Sequence, residues 1–286
     1  MSVERVTVII VTYNSAHCID AQVEVLRHLP HVVVVDNGSE DDTIARCQKL
    51  LPHARIDAVG QNLGFGAANN RALAQVATPY ALLLNPDCVI TLAAIAELIA
   101  LAQSQSNAAI CVPQIIGAAG KSTLNYGWVK HYWQSRGAAA EGLCCVGYAS
   151  GAVMLLNIAV TRSHGYFDER FFLYYEDDDI CLKYFNARLP IILSPQIQAR
   201  HVSRSSVKSK NVVRQEYWRG YHHAQSKLLI TEKYQSADAM RHLRRVKIST
   251  GILLVLLRTL TLNPRLGARM AGRVVGLTQY KTKLAI

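Results

Sequence analysis

The chain has 286 residues, half of them hydrophobic and 18% charged, which excludes a largely disordered chain and allows one large α/β domain or two small ones. Its formal charge of +11 is uneven: residues 200–286 carry 18 Lys+Arg against Glu216, Glu232 and Asp238, a net of +15, and the residues before them net −4. Such a tail attracts phosphate-rich partners, whether anionic lipid, nucleic acid or a diphosphate substrate.

Met1 to Arg5 leads straight into an apolar β-branched run, without the pattern of a secretory leader. VTVIIVT (Val6 to Thr12) predicts a parallel strand buried on both faces, followed by helical spacing from Ala16 to Leu29. VVVVD (Val32 to Asp36) is the second such strand, and Glu40 to Leu51 the next helix. Ala54 to Val59 reads as a weaker third strand, Gly64 to Val76 as a helix and Tyr80 to Leu84 as a fourth strand. This alternation predicts a mostly parallel sheet with helices on both faces. Ligands of open sheets sit at the carboxyl ends of the strands. That is where Thr12-Tyr13-Asn14, Asp36-Asn37-Gly38-Ser39 and Asn85-Pro86-Asp87 fall.

Further along, Lys121 to Leu143 lacks periodicity and carries Trp128, His131, Tyr132 and Trp133, the composition of an acceptor-side loop. Gly147 to Leu156 reads as one strand of small residues, Glu176 to Phe185 as a helix opened by acids, and Pro190 to Ala199 as a strand ending beside His201. Arg241 to Arg273 mixes Arg and Lys with Leu, Ile and Val, the pattern of one or two amphipathic helices on an anionic membrane. A solvated helical bundle or a homodimer interface is the plainer use of that pattern, and no recognition motif supports nucleic acid. Ile248 to Leu257 is far shorter than a bilayer span. Seven cysteines without paired spacing suggest reduced thiols and a cytoplasmic protein held peripherally on the inner membrane face.

The chemistry-bearing segments narrow the function. Gly64-Phe65-Gly66 lacks a third glycine and follows the third strand, so it is no dinucleotide fingerprint. In DNGSEDDT (Asp36 to Thr43) an acid at a strand end can accept from a ribose hydroxyl or base imide, while Ser39 and Asp41 can cap the next helix. A strand-turn-helix cap without ligand is the plain alternative.

VIIVTYNS (Val8 to Ser15), VVVVDNGSEDDT (Val32 to Thr43), NLGFGAANNRAL (Asn62 to Leu73), LLLNPDC (Leu82 to Cys88), SGAVMLL (Ser150 to Leu156) and FDERFFLYYEDDDICLK (Phe167 to Lys183) follow one another in order. Together they resemble the family 2 inverting glycosyltransferases, particularly the rhamnosyltransferase-like branch that builds bacterial surface polysaccharides, over residues 5–235. The resemblance implies a GT-A fold in residues 1–235, with 236–286 as a basic amphipathic helical tail. It also implies a nucleotide-sugar donor, a lipid-linked or saccharide acceptor, and Mg²⁺ or Mn²⁺. Donor contacts would come from Thr12, Tyr13, Asn14, Asp36, Gly38, Ser39, Asn62, Gly64, Asn70 and Asn85.

Asp87 matches the second acid of the family's D-x-D motif and would hold the metal, with His201 completing that site. Asn85 stands where the motif has its first acid, which removes one charge. By the E-D-x-D motif, Asp177 would be the general base, with Glu176 or Asp179 orienting the acceptor or capping the helix. Ser203 to Ser206 would form a flap over the diphosphate. The expected reaction moves a sugar, rhamnose from dTDP-rhamnose, to a lipid-linked saccharide or lipopolysaccharide precursor. A sugar-phosphate nucleotidyltransferase is the enzymatic rival, though its glycine-rich, lysine-bearing loop is missing after the first strand. A non-catalytic basic peripheral membrane protein is the other.

Overall fold

The computed structural model describes residues 2–127, 138–201, 206–207, 211–260 and 262–282. Two compact bodies make up the chain, the first comprising residues 1–167 and 177–208, the second residues 168–176 and 209–286.

In the first body, β1 (Val6–Thr12), α1 (Ala16–Leu26), β2 (Val32–Asp36), α2 (Thr43–Leu50), β3 (Arg55–Ala58), α3 (Phe65–Leu73) and β4 (Tyr80–Leu84) follow the expected alternation. Then come β5 (Cys88–Ile90), α4 (Leu92–Ser104), β6 (Ile110–Gly117), β7 (Ser122–Thr123), β8 (Tyr126–Gly127), β9 (Cys144–Cys145), β10 (Tyr148–Ala149), β11 (Val153–Asn157), α5 (Ile158–Thr161), α6 (Glu176–Asn186) and β12 (Ile191–His201). Among the described residues the main sheet runs β3-β2-β1-β4-β11-β6-β12-β5, with β7 beside β6 and β9 beside β12. The pairs β1–β2, β2–β3, β1–β4 and β6–β12 are parallel, whereas β11 is antiparallel to both β4 and β6.

Strand periodicity explains the layering. Val8 and Ile10 of β1 face one way, into a cluster with Ile19 and Leu26 of α1 and Ile95, Leu98 and Ile99 of α4. Ile9 faces the other way, packed with Ala68 and Leu73 of α3 and Ile180 and Tyr184 of α6. Burial on both faces is why β1, β2 and β4 read as unbroken apolar runs. β3 is an edge strand and only half-buried, which is why its run is weak.

The expectations left out several elements, the longest in the first body being α4 and β6. LAAIAELIALAQS is apolar on nearly every side, so no amphipathic stripe marks it, and Pro113 and Gln114 interrupt the apolar run of β6. The single strand expected over Gly147 to Leu156 is two: β10 pairs with β8 in a small separate sheet, and β11 joins the main one.

The second body contains α7 (Val212–Tyr234), α8 (Ala237–Leu260) and α9 (Pro264–Thr278), so the basic tail is two helices and packs on a third that precedes residue 235. Gly220 on α7 and Gly272 and Gly276 on α9 line the crossing. A Cβ at Gly276 would lie 2.5 Å from the Tyr221 carbonyl oxygen, and one at Gly220 would lie 3.0 Å from the Arg269 carbonyl carbon. The backbones touch because no side chain intervenes.

The segment 168–176 is tied to α7. Lys233 donates to Asp168 at 2.8 Å, Ser226 Oγ donates to the Leu173 carbonyl at 2.9 Å, and Arg170 pairs with Asp168. Burial alone would raise the Asp168 carboxyl, but the bonds from Arg170 and Lys233 outweigh it and hold the group well below the usual range. No helix among the described residues is long and apolar enough to cross a membrane.

Candidate active site

Residues after β1 and β2 form one hydrogen-bonded unit. Asp36 is buried at the end of β2, and its carboxylate accepts from Thr12 Oγ1 (2.9 Å), Ser39 N (2.8 Å) and Ser39 Oγ (2.5 Å). Asn14 N donates to Ser39 Oγ, and Glu40 N to Asn14 Oδ1, both at 2.8 Å. The turn needs positive φ at Asn14 and Gly38, and a Cβ at Gly38 would sit 2.9 Å from Gln61 N, so the loop before α3 lies directly against it. Asn37 Nδ2 donates to the Gly64 carbonyl at 3.1 Å, and Gly64 N donates to Asn62 Oδ1 at 2.9 Å. The DNGS turn and the NLGFG loop are therefore braced on each other at the carboxyl ends of β2 and β3. Asp41 accepts from Thr43 N at 3.1 Å at the start of α2.

Asn70 lies on α3 and clasps Phe167 reciprocally: its amide donates to the Phe167 carbonyl and its oxygen accepts from Phe167 N, each at 2.9 Å. The structure thus gives Asn70 a positioning contact with the chain leading to Asp177. Gly66 is small for packing, since a Cβ there would meet Phe167 Cβ at 2.9 Å.

Asp87 follows β4 and precedes β5, and His201 ends β12. Because β12 runs antiparallel to β5 with His201 opposite Cys88, the imidazole arrives beside Asp87. His201 Nε2 lies 3.3 Å from Asp87 Oδ1, and the two side chains are 17% and 2% exposed. Asp87 Oδ2 accepts from Ser206 N at 3.0 Å, and the Ser206 carbonyl accepts from Ser15 Oγ at 2.7 Å. Of the expected flap only Ser206 is described, the preceding three residues lying outside the described ones. The same holds for Trp128, His131, Tyr132 and Trp133.

Ligand atoms of Asp87, Cys88 and His201 all lie within 4.8 Å of one another. Burial, then the Asp87 charge, push the Cys88 thiol well above its ordinary range, so it stays protonated and offers a cation little. A carboxylate oxygen and an imidazole nitrogen suit Mn²⁺ or Mg²⁺ bound with few protein ligands, the remainder supplied by phosphate and water. The donor set fits such an ion.

Asp177 is the least buried acid of the run at the start of α6: Glu176 and Asp178 are buried, Asp179 wholly so. Its Oδ2 accepts from Gly151 N at 3.2 Å and from the Tyr148 hydroxyl at 3.3 Å. Burial, then the Asp177 charge, raise the Tyr148 phenol well above its usual range, so it remains a donor. Gly151 belongs to the turn between β10 and β11, and a Cβ there would lie in van der Waals contact with Phe65 at 3.4 Å and Asp177 Cβ at 3.5 Å. Ala152 accepts from Asn85 N at 2.9 Å. One short stretch thus touches both the Asp177 carboxylate and the Asn85-Pro86-Asp87 loop.

Of the expected site residues, Thr12, Asn14, Asp36, Gly38, Ser39, Asn62 and Gly64 lie in the braced loops, with Tyr13 between Thr12 and Asn14. Asn85, Asp87 and His201 lie at the neighbouring strand ends. Glu176 counts with the second body. Sequence reasoning passed over Tyr148, whose distance from Asp177 in the chain leaves no local pattern. It also missed Gln22, whose amide donates to the carbonyls of Asn85, Pro86 and Cys88, each at 2.8 Å, and shapes the loop.

Comparison with known proteins agrees with this arrangement. The chain is 27% identical over 182 residues to an N-acetylglucosaminyl-diphospho-decaprenol L-rhamnosyltransferase of Mycobacterium tuberculosis, covering 52% of this chain and 59% of that protein. It is 29% identical over 194 residues to a low-salt glycan biosynthesis hexosyltransferase of Haloferax volcanii, covering 63% and 61%. The chain thus spans about three fifths of the length of these curated relatives. A mannosyltransferase from Pyrobaculum calidifontis, solved with GDP-Man and Mn²⁺, shares the fold with a TM-score of 0.57 at 15% identity, over 96% of this chain and 87% of that one. TarS of S. aureus with UDP-GlcNAc does so at 0.54 and 14%, over 93% and 90%. These are GT-A architectures. The model of glycosyl transferase family 2 matches residues 7–163, more than half of the chain and both braced loops with the Asn85-Pro86-Asp87 turn, and the protein belongs to that family.

Proposed function

We propose that the protein is a metal-dependent inverting glycosyltransferase that moves rhamnose from dTDP-rhamnose onto a lipid-linked saccharide or lipopolysaccharide precursor. The carrying observation is the partly exposed Asp177 carboxylate, aimed by Tyr148 and Gly151 and joined through Ala152 to the loop that bears Asp87. Asp177 would take the proton of the acceptor hydroxyl as that oxygen attacks the anomeric carbon. The bond from that carbon to the diphosphate oxygen breaks in the same in-line displacement, so configuration inverts. Mg²⁺ or Mn²⁺ held by Asp87 and His201 would supply charge neutralisation for the departing diphosphate. The braced loops after β1, β2 and β3 would hold the nucleoside. The two curated relatives, a rhamnosyltransferase and a hexosyltransferase, support the sugar class.

The test is a hydrolysis screen of UDP-, dTDP- and GDP-sugars with either metal, alongside Asp87→Ala. We expect metal-dependent hydrolysis fastest with dTDP-rhamnose, and loss of metal-dependent nucleotide binding in the variant by calorimetry. Unchanged Mn²⁺-dependent binding by Asp87→Ala would remove the metal assignment.

The tail is read as a membrane contact at the inner face of the cytoplasmic membrane. Leu253, Leu256, Leu257 and Leu260 recur at helical spacing on α8 and are exposed, Leu260 by 80% and the following Leu262 by 88%. Arg258 lies among them and Arg265 follows. Each basic residue near an anionic surface contributes about 1 kcal/mol, and the leucines would add insertion. Because α9 packs backbone to backbone on α7, deleting the tail would strip the second body, so point changes are the cleaner probe. Leu253→Asp with Leu260→Asp should leave folding intact and sharply reduce co-sedimentation with anionic liposomes. Equal partitioning of the unaltered protein onto neutral and anionic liposomes would refute the contact.

A further inference from the structure

α7 and α9 bring an excess of positive charge to one place in the second body. Arg269 and Arg273 are one turn apart on α9, and His223 and Lys227 one turn apart on α7. The His223 ring lies 5.6 Å from the ring of Tyr174 and 5.3 Å from that of Tyr175, and Lys227 Nζ lies 5.3 Å from the Tyr175 centroid. Glu216 is already shared, accepting from Arg219 at 2.9 Å and paired with Arg269. Among the described residues the buried Nε atoms of Arg269 and Arg273 have no hydrogen-bond partner. Burial, then Arg273, Lys227 and Arg269, push His223 down to about 4, and burial with Arg269 lowers even Arg273. Partly buried cations with unspent donors are costly unless an anion completes them. Tyr174 and Tyr175, both at positive φ (69° and 66°), hold a backbone shape that non-glycine residues keep only where the surroundings impose it.

We infer that Arg269 and Arg273, with Lys227 and the Tyr174-Tyr175 turn, form a binding site for a phosphate or diphosphate group, which the lipid-diphosphate moiety of the acceptor supplies. The assignment rests on the reading of the protein as a transferase to lipid-linked acceptors. A guanidinium fork matches phosphate oxygens two at a time. In the chain the turn is followed directly by Glu176 and Asp177. Membrane phospholipid could offer the same chemistry, and the experiment separates the two.

Wild type, Arg273→Gln and Arg273→Lys are compared in three measurements: pyrophosphate binding in EDTA, KM for a short-chain prenyl-diphosphate sugar against the same sugar as a neutral alkyl glycoside, and donor hydrolysis. In both variants pyrophosphate affinity should fall, and KM for the diphosphate acceptor should rise, by about tenfold or more, the scale of a charge-assisted fork. The neutral acceptor and donor hydrolysis should be unaffected. Because the site disfavours its own charge, Arg273→Gln should melt no lower than wild type, whereas a merely structural arginine would lower the melting temperature. Equal effects on both acceptors, no effect on either, or loss confined to phosphatidylglycerol vesicle binding would overturn the assignment. A wild type that binds pyrophosphate through Arg273 yet hydrolyses no sugar nucleotide would refute the transferase reading and spare the anion site.

Discussion

Replacing Asp177 by Asn should cut sugar transfer by at least ~10²-fold, the usual scale for losing a general base, while thermal stability and donor binding hold. Asn has the shape of Asp, and its side-chain oxygen can still accept from Gly151 N and the Tyr148 hydroxyl. What it cannot do is carry away the proton of the acceptor hydroxyl. The loss should therefore fall on kcat, while nucleotide affinity is unchanged. Tyr148→Phe supplies the graded companion, since it removes one bond that aims the carboxylate and should slow transfer less. Near-normal transfer by Asp177→Asn would move the base elsewhere, to Asp179 first.

Gly220→Ala and Gly272→Ala should each destabilise the second body by about 3 kcal/mol, the upper part of the range for overpacking. The sign is the point. In an exposed helix, glycine to alanine stabilises by up to roughly 1 kcal/mol because the unfolded chain loses freedom. Here the added methyl meets backbone: at Gly272 it would collide with the Tyr217 carbonyl, and at Gly220 with that of Arg269. Backbone cannot rotate aside as a side chain can, so the helices must part. Gly267 also lies on α9 but has open space, its nearest neighbour being Arg258 Cβ at 4.0 Å, so Gly267→Ala is the control and should be neutral or stabilising. Denaturant melts of the three variants decide the matter, and a stabilised Gly272→Ala would show that the close crossing is absent in solution.

Much of the first half of the sheet could be read in the residues because burial on both faces leaves an unmistakable trace. Val32 to Val35 must all be apolar if helices cover the sheet from both sides, and a polar Asp36 ending such a run marks the strand end. The Asn85-Pro86-Asp87 turn stood out for the same reason. Long-range features left no comparable trace. Nothing near Tyr148 announces Asp177, and GYASGAVMLL looks like one strand until β10 is seen to pair with β8 and β11 with β4. The glycines of α7 and α9 carry meaning only as a pair of surfaces. In sequence, Gly272 and Gly276 sit among basic and small residues that suggest an exposed amphipathic helix.

The pairing of His201 with Cys88 across β12 and β5 also bears on how the protein is made. β1 to β4 leave the ribosome first and can begin to pair locally, but the strand that carries His201 is synthesised more than a hundred residues after Asp87. Contacts so far apart in the chain form late, because closing the intervening loop costs entropy before any contact repays it. A nascent chain therefore carries Asp87 without its imidazole neighbour. On the proposed reading, a cation held by Asp87 and His201 would follow folding of the first body and could not nucleate it.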